Sequence, residues 1–338
     1  MINNKFYKEK DMEAIKILES FLPDKIFDAH AHLYDKSFAP ITANYPDDGT
    51  FKGYCDVMMP ALCNPKEFHM NMITFPDRLM NAPSNGTRDA SDKFIAQQLD
   101  VDAGSVGEII VLPTDSPEDI EKRMIHSRIR GLKCYYYYAH VDDAYNKAEI
   151  GEFLPDSAWE VANKHKMAIT LHMVKPKALS DEKNLDYIIK KAKQYPDAVL
   201  ILAHAARSFA SWTAIESIEK VAHLDNVWYD FSAICESPAM FYIMKKAGIE
   251  KCMWGSDFPV CTFRGKAISF GDDFTWILER QPKEGEQFDN LIPSSMYWFY
   301  AIENLMATRQ ACIIGELSES QVEDLFFNNA KKLFFSVK

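Results

Sequence analysis

No run of 18 uncharged apolar residues occurs in the 338-residue chain, so a membrane-spanning helix is not expected. The opening MINNKFYKEKDMEAIKILESFLPDK also lacks the apolar core of a secretory signal. The seven cysteines, Cys55, Cys63, Cys134, Cys235, Cys252, Cys261 and Cys312, show no CxxC or zinc-finger spacing, which suits reduced, buried thiols. The expected setting is the cytoplasm. Lysine and arginine form no basic patch, and 49 acidic against 38 basic residues leave a net charge of −11, which repels phosphate backbones and anionic membranes. Neither nucleic acid nor membrane is an expected partner. Glycine (13) and proline (16) are not enriched, and there is no fixed-period repeat, low-complexity tract or Gly/Ser linker. Collagen-like, solenoid and multi-domain readings drop out, which leaves one domain spanning 1–338.

What is present is an alternation. Short apolar runs occur at 26–32, 54–61, 107–113, 130–136, 167–172, 198–204, 226–232 and 251–257. Segments of helical periodicity separate most of them, at 89–102, 116–127, 155–165, 181–194, 209–223 and 236–247. Strands alternating with helices imply βαβ units, and eight such strands imply an α/β fold, a (β/α)8 TIM barrel. It is distorted: a lead-in helix at 9–22 precedes it, and closing helices near 294–308 and 318–335 follow. Segments 33–53, 62–88, 136–154 and 258–293 read as long loops at the carboxyl mouth.

Chemistry collects at strand ends. In Asp28-Ala29-His30-Ala31-His32 the two histidines lie two apart on a strand, hence on one face, and a pair of imidazoles begins a zinc site. Asp28 is in phase with them and either holds an imidazole from behind or has a structural role below the site. His172, His204 and Asp257 end later apolar runs in the same way, and in a parallel barrel all carboxyl ends meet at one mouth. His69, His126, His140, His165 and His223 fall in expected loops or helices and read as surface or packing residues.

The ordered set DAHAH, ITLH, ILAH and WGSDFP resembles the amidohydrolase superfamily, in particular its amidohydrolase-related branch of metal-dependent hydrolases and decarboxylases. The resemblance covers residues 26 to about 260. It implies one divalent ion, zinc or alternatively manganese, held by His30, His32 and His172. Asp257 would bind the ion or its water and shuttle a proton, and His204 would orient the water or polarise the substrate. The residue types suit such a centre, since neutral imidazoles plus a carboxylate leave an open position for a reactive water.

Lys133 ends the fourth run and reads as a positive group facing an anionic substrate, with ion pairing and carbamylation as alternatives. Tyr135 and Tyr137 share its face if the strand continues, and either contact substrate or pack. Arg207 and Arg264 stand where loops could aim a guanidinium at a carboxylate, or are solvated. The expected function is metal-dependent hydrolysis of a small anionic lactone, ester or amide. Nonoxidative decarboxylation of an aromatic or unsaturated acid is the alternative, followed by a barrel without catalysis. Phe75, Trp212, Trp276 and the MYWFY run at 296–300 line an interface between copies or, as preferred here, pack the closing helices.

Overall fold

A computed structural model of the chain describes residues 6–37, 45–76, 87–271, 273–279 and 296–336. Parts of the expected mouth loops, 38–44, 77–86 and 280–295, lie outside the described residues.

Eight parallel strands hydrogen-bond in chain order: β1 (Lys25–Leu33), β2 (Glu67–Thr74), β3 (Val106–Ile110), β4 (Ile129–Cys134), β5 (Ala168–Leu171), β6 (Val199–Leu202), β7 (Val227–Asp230) and β8 (Cys252–Met253). β1 meets the end of β8 and the loop after it, with Ala29 N donating to Trp254 O at 3.0 Å and His32 N to Phe258 O at 2.7 Å. The result is a nearly closed TIM barrel, as the alternation implied. Among the described residues no helix is long and apolar enough to cross a membrane.

Two assignments differ from the sequence reading. The run at 54–61 is not a strand but falls in a helix, Phe51–Met58, that Thr50 caps by accepting from Gly53 N at 3.1 Å. Its buried Gly53, Tyr54, Val57 and Met58 recur at helical spacing, and a short apolar run by itself does not separate helix from strand. The second strand is instead EFHMNMIT, inside the expected loop 62–88, where Glu67, His69 and Asn71 alternate with Phe68, Met70 and Met72 at the strand period. Within 258–293 an antiparallel hairpin forms, β9 (Gly265–Phe270) and β10 (Asp273–Leu278), with Gly271 at φ 64° in the turn.

The barrel's lower end is sealed by the chain's last helix, Asn329–Phe335. Phe334 stacks on Phe27 of β1 at 5.9 Å, beside Ile201, Met253 and Leu333. Above this plug the interior turns polar: Glu108 Oε1 accepts from Asn71 Nδ2 and Thr170 Oγ1, both at 2.8 Å. Gly131 makes room for that carboxylate, since a Cβ there would come within 2.6 Å of Glu108 Cγ. Burial pushes Glu108 up to about 7, opposed by these hydrogen bonds and by Lys133. This layer is the floor of the site.

Candidate metal centre

His30 and His32 project from β1 into the mouth, their Nε2 atoms 3.2 Å apart. Asp257 is brought to them by its own backbone, whose N–H donates to His30 O at 2.8 Å, and its Oδ1 lies 3.7 Å from His30 Nε2 and 3.6 Å from His32 Nε2. Asp28 ties β1 to the loop after β8, accepting from His30 N at 3.0 Å, Ser256 N at 2.9 Å and Tyr54 Oη at 2.6 Å.

The outer nitrogens set the tautomers. His30 Nδ1 faces Asp230 Oδ2 at 3.0 Å, His32 Nδ1 faces Thr74 O at 3.2 Å, His172 Nδ1 faces Met173 O at 3.0 Å and His204 Nδ1 faces Ser232 O at 3.1 Å. A carbonyl or carboxylate only accepts, so each Nδ1 carries the proton and each Nε2 keeps its lone pair. Burial, together with Lys133 and neighbouring imidazoles, holds His30, His32 and His172 well below the usual imidazole range and brings His204 down to about 3. Two lone pairs facing each other at 3.2 Å beside a carboxylate call for a cation, and neutral imidazole with carboxylate is a donor set for zinc or manganese. The residues fit a divalent ion.

The structure gathers most of the expected residues. His30, His32 and Asp257 form the tight group, all three buried. His172 and His204 pack ring to ring at 5.0 Å, and His204 lies 5.0 Å from His30. A cavity of about 160 Å³ opens over them, walled by Tyr45, Phe75, Tyr135, Tyr137 and Val260. Burial pushes the Asp257 carboxyl well above the usual range; Lys133 opposes this, while Asp230 and Asp28 add to it.

Three of the residues expected as substrate contacts, Lys133, Arg207 and Arg264, are not among those that line the cavity. Lys133 is fully buried beneath the histidines, its Nζ 3.3 Å from His30 Nε2, and does not line the cavity. Arg264 is spent on the N-terminal segment, donating to Asp11 Oδ2 at 2.6 Å and to Phe6 O, and on Tyr297 O at 3.2 Å. Arg207 is buried, with Nη1 donating to Lys175 O at 2.7 Å. Among the other histidines, His69, His126 and His165 pair with Asp102, Asp100 and Glu121, away from the mouth.

Sequence reading missed Asp230. It ends β7, but the apolar run continues past it to residue 232, so a rule that looks at the ends of runs passes over it. Its Oδ1 accepts from His204 N at 3.2 Å and Ser232 N at 3.1 Å while Oδ2 holds His30.

His204 and Arg207 are presented by an unusual backbone. His204, Ala205, Ala206 and Arg207 all have left-handed φ, 55°, 49°, 59° and 60°. Each non-glycine residue in that region costs on the order of 1–2 kcal/mol. Such a run persists only where surrounding structure over-determines it, and observed strain of this kind points to function.

A nearly closed parallel barrel with neutral imidazoles and a carboxylate at its carboxyl mouth defines the class: a TIM barrel with a candidate divalent-metal centre. The family model described as amidohydrolase matches residues 27–335, and the chain belongs to that family. No curated protein matches. Among solved structures, an amidohydrolase from Burkholderia multivorans with bound zinc is 11% identical at a TM-score of 0.59, covering 93% of this chain and 100% of the other. A 5-carboxyvanillate decarboxylase from Novosphingobium aromaticivorans, complexed with manganese and 4-hydroxy-3-methoxy-5-nitrobenzoic acid, is 11% identical at 0.57, covering 94% and 96%. A Pseudomonas putida protein described as a proposed 2-pyrone-4,6-dicarboxylic acid hydrolase is 14% identical at 0.54, covering 93% and 98%. At these identities the likeness is one of fold.

Proposed function

We propose that the chain is a metal-dependent hydrolase of a small anionic lactone, ester or amide. The observation that carries this reading is the set of unprotonated Nε2 atoms on His30 and His32, 3.2 Å apart and each within 3.7 Å of Asp257 Oδ1. His30, His32 and Asp257, with His172, would hold one zinc or manganese ion. Such an ion supplies a hydroxide near neutral pH and polarises a carbonyl oxygen.

The chain's own groups divide the remaining work. Asp257 takes the proton of the attacking water and returns it to the leaving group, the work of a carboxylate placed beside that water. His204 can only accept at Nε2, so it orients the water and does not donate to a carbonyl. Tyr135, whose phenol burial keeps protonated, is placed with Tyr45 and Tyr137 to donate to a substrate oxygen. A cavity of about 160 Å³ limits the substrate to a small molecule.

One observation favours a second reaction on the same site. Tyr45, Phe75, Tyr135 and Tyr137 give the cavity aromatic walls, which suits decarboxylation of a planar unsaturated or aromatic acid.

The test is metal content per chain by elemental analysis, followed by assays of proton release from lactones and of CO2 release from aromatic acids. One equivalent of zinc or manganese is expected, lost in the double variant His30→Ala with His32→Ala. Protein that takes up neither ion after reconstitution would overturn the reading.

A further inference from the structure

One lone pair at the mouth faces two cations. His30 Nε2, a nitrogen suited to the divalent ion, accepts from Lys133 Nζ at 3.3 Å. A neutral imidazole has a single acceptor nitrogen, so an ion bound there excludes the ammonium and the ammonium there excludes the ion. Lys133 is fully buried and cannot withdraw to water. A site that takes both cations has to offer the ammonium a second partner.

That partner lies in the layer below. The carboxylates that act on the Lys133 charge are those of Glu108, Asp230 and Asp257, Glu108 most strongly. Asp230 is occupied on both oxygens, by His30 Nδ1 on Oδ2 and by His204 N and Ser232 N on Oδ1. Asp257 Oδ1 faces the two Nε2 atoms and belongs with the ion. Glu108 differs: Oε1 accepts from Asn71 and Thr170, while Oε2 is buried with no hydrogen-bond partner among the described residues. Lys133 in turn makes one hydrogen bond among those residues, although an ammonium has three donors. A buried donor short of acceptors and a buried acceptor short of donors stand on adjacent strands.

The strand register brings both seats within reach of one side chain. Glu108 of β3 pairs with Gly131 of β4, and Lys133 is two residues further along β4, on the same face. That step is about 7 Å. The Glu108 carboxylate lies over Gly131, where a Cβ would come within 2.7 Å of Oε1. The flexible four-carbon stem of lysine can therefore turn between His30 above and Glu108 below.

We propose that Lys133 is a built-in competitor of the metal ion: its ammonium holds the His30 Nε2 lone pair until a divalent ion takes it, and then turns down to Glu108 Oε2. This rests on the reading of the mouth as a metal centre and adds a control on ion binding. Lys133 compensates the buried carboxylates with or without the ion, at the expense of affinity for it.

The probe is zinc alone, titrated at pH 8 into chelator-stripped full chain against a chromophoric chelator; Glu108, raised to about 7, is then a carboxylate. Lys133→Met, which keeps the length and removes the charge, should tighten zinc binding by at least about tenfold, since two cations so close repel. Glu108→Gln, which removes the charged seat, should weaken it by about tenfold. In the Lys133→Met background the same Glu108→Gln change should shift affinity by less than about twofold, because no ammonium is left to seat. Near-ultraviolet circular dichroism reports native packing of each variant. The natural chain supplies a readout that needs no Lys133 variant: with glutamate labelled at its side-chain carboxyl carbon, the Glu108 resonance, identified by its absence from Glu108→Gln, should move when zinc is added.

Weaker zinc binding in Lys133→Met would make Lys133 a ligand, directly or as its carbamate, and overturn the competition. Equal affinity with and without Lys133 would also overturn it while leaving the metal centre standing, whereas failure of every variant to bind zinc would bring down both. A Glu108 resonance that zinc leaves in place, or equal weakening by Glu108→Gln in both backgrounds, would remove the second seat.

Discussion

Asp230 and His30 are bound to each other at 3.0 Å, carboxylate Oδ2 to imidazole Nδ1, and this contact decides which nitrogen of His30 faces the mouth. The other carboxylate oxygen holds the backbone N–H groups of His204 and Ser232, so one side chain orients His30 and anchors the strained turn that carries His204.

Asp230→Asn is therefore expected to lower metal affinity by about 10–100-fold, the usual consequence of removing the partner of a ligating histidine. Equilibrium dialysis against zinc measures this. Unchanged affinity would mean that the orientation of His30 is set by packing.

The floor of the site should show in the pH dependence of stability. Glu108 is raised by burial from 4.5 to about 7, so between those values the native state keeps a proton that the unfolded chain has lost. Stability from this group is complete below 4.5 and declines as pH rises through about 7. Glu108→Gln carries no such titration, so the melting temperature of the variant relative to the natural chain should climb between pH 4.5 and 7. A constant difference across that interval would refute the assignment.

Lys133 is the counter-charge of Glu108, Asp230 and Asp257 in a fully buried setting, and burial draws its ammonium below the usual lysine range while these carboxylates oppose the shift. Lys133→Met should cost about 3 kcal/mol in denaturant unfolding at pH 8, because it strands buried carboxylates. Adding Glu108→Gln should recover much of that loss. Additive losses in the double variant would show that the pair is not coupled.

The left-handed turn makes a prediction opposite to the usual rule for buried alanines. Ala206 is fully buried at φ 59°, so Ala206→Gly loses a methyl contact yet relieves strain, and should remain within about 1 kcal/mol of the natural chain. Ala206→Val should cost at least about 2 kcal/mol, since a β-branched side chain is worse in that region and adds bulk to a closed site. Thermal unfolding of the two variants measures the contrast.

The site was legible where chemistry and strand period coincide. His30 and His32 two apart on β1, with His172, His204 and Asp257 at later strand ends, announce one face and one mouth. Asp230 ends its strand too, but its apolar run continues for two residues beyond it, so the pattern of run ends did not single it out. Lys133 and Arg264 read from the sequence as substrate contacts, because sequence position gives neither depth in the barrel nor distant partners. Lys133 lies below the imidazoles, and Arg264 is drawn to Asp11 from far along the chain.

The fold divides the same way. Eight strands alternating with helices, and the closing helices after them, follow from local periodicity and caps, which are properties of neighbouring residues. Whether YCDVMM or EFHMNMIT supplies the second strand was decided by tertiary packing, because both runs are apolar enough for a core and it is the second that pairs with β1. The carboxyl mouth, its zinc-type donor residues and their order are properties of the sequence alone. The protonated nitrogens, the left-handed turn at His204 and the burial of Lys133 belong to the tertiary structure, because each depends on which groups a distant segment brings within reach.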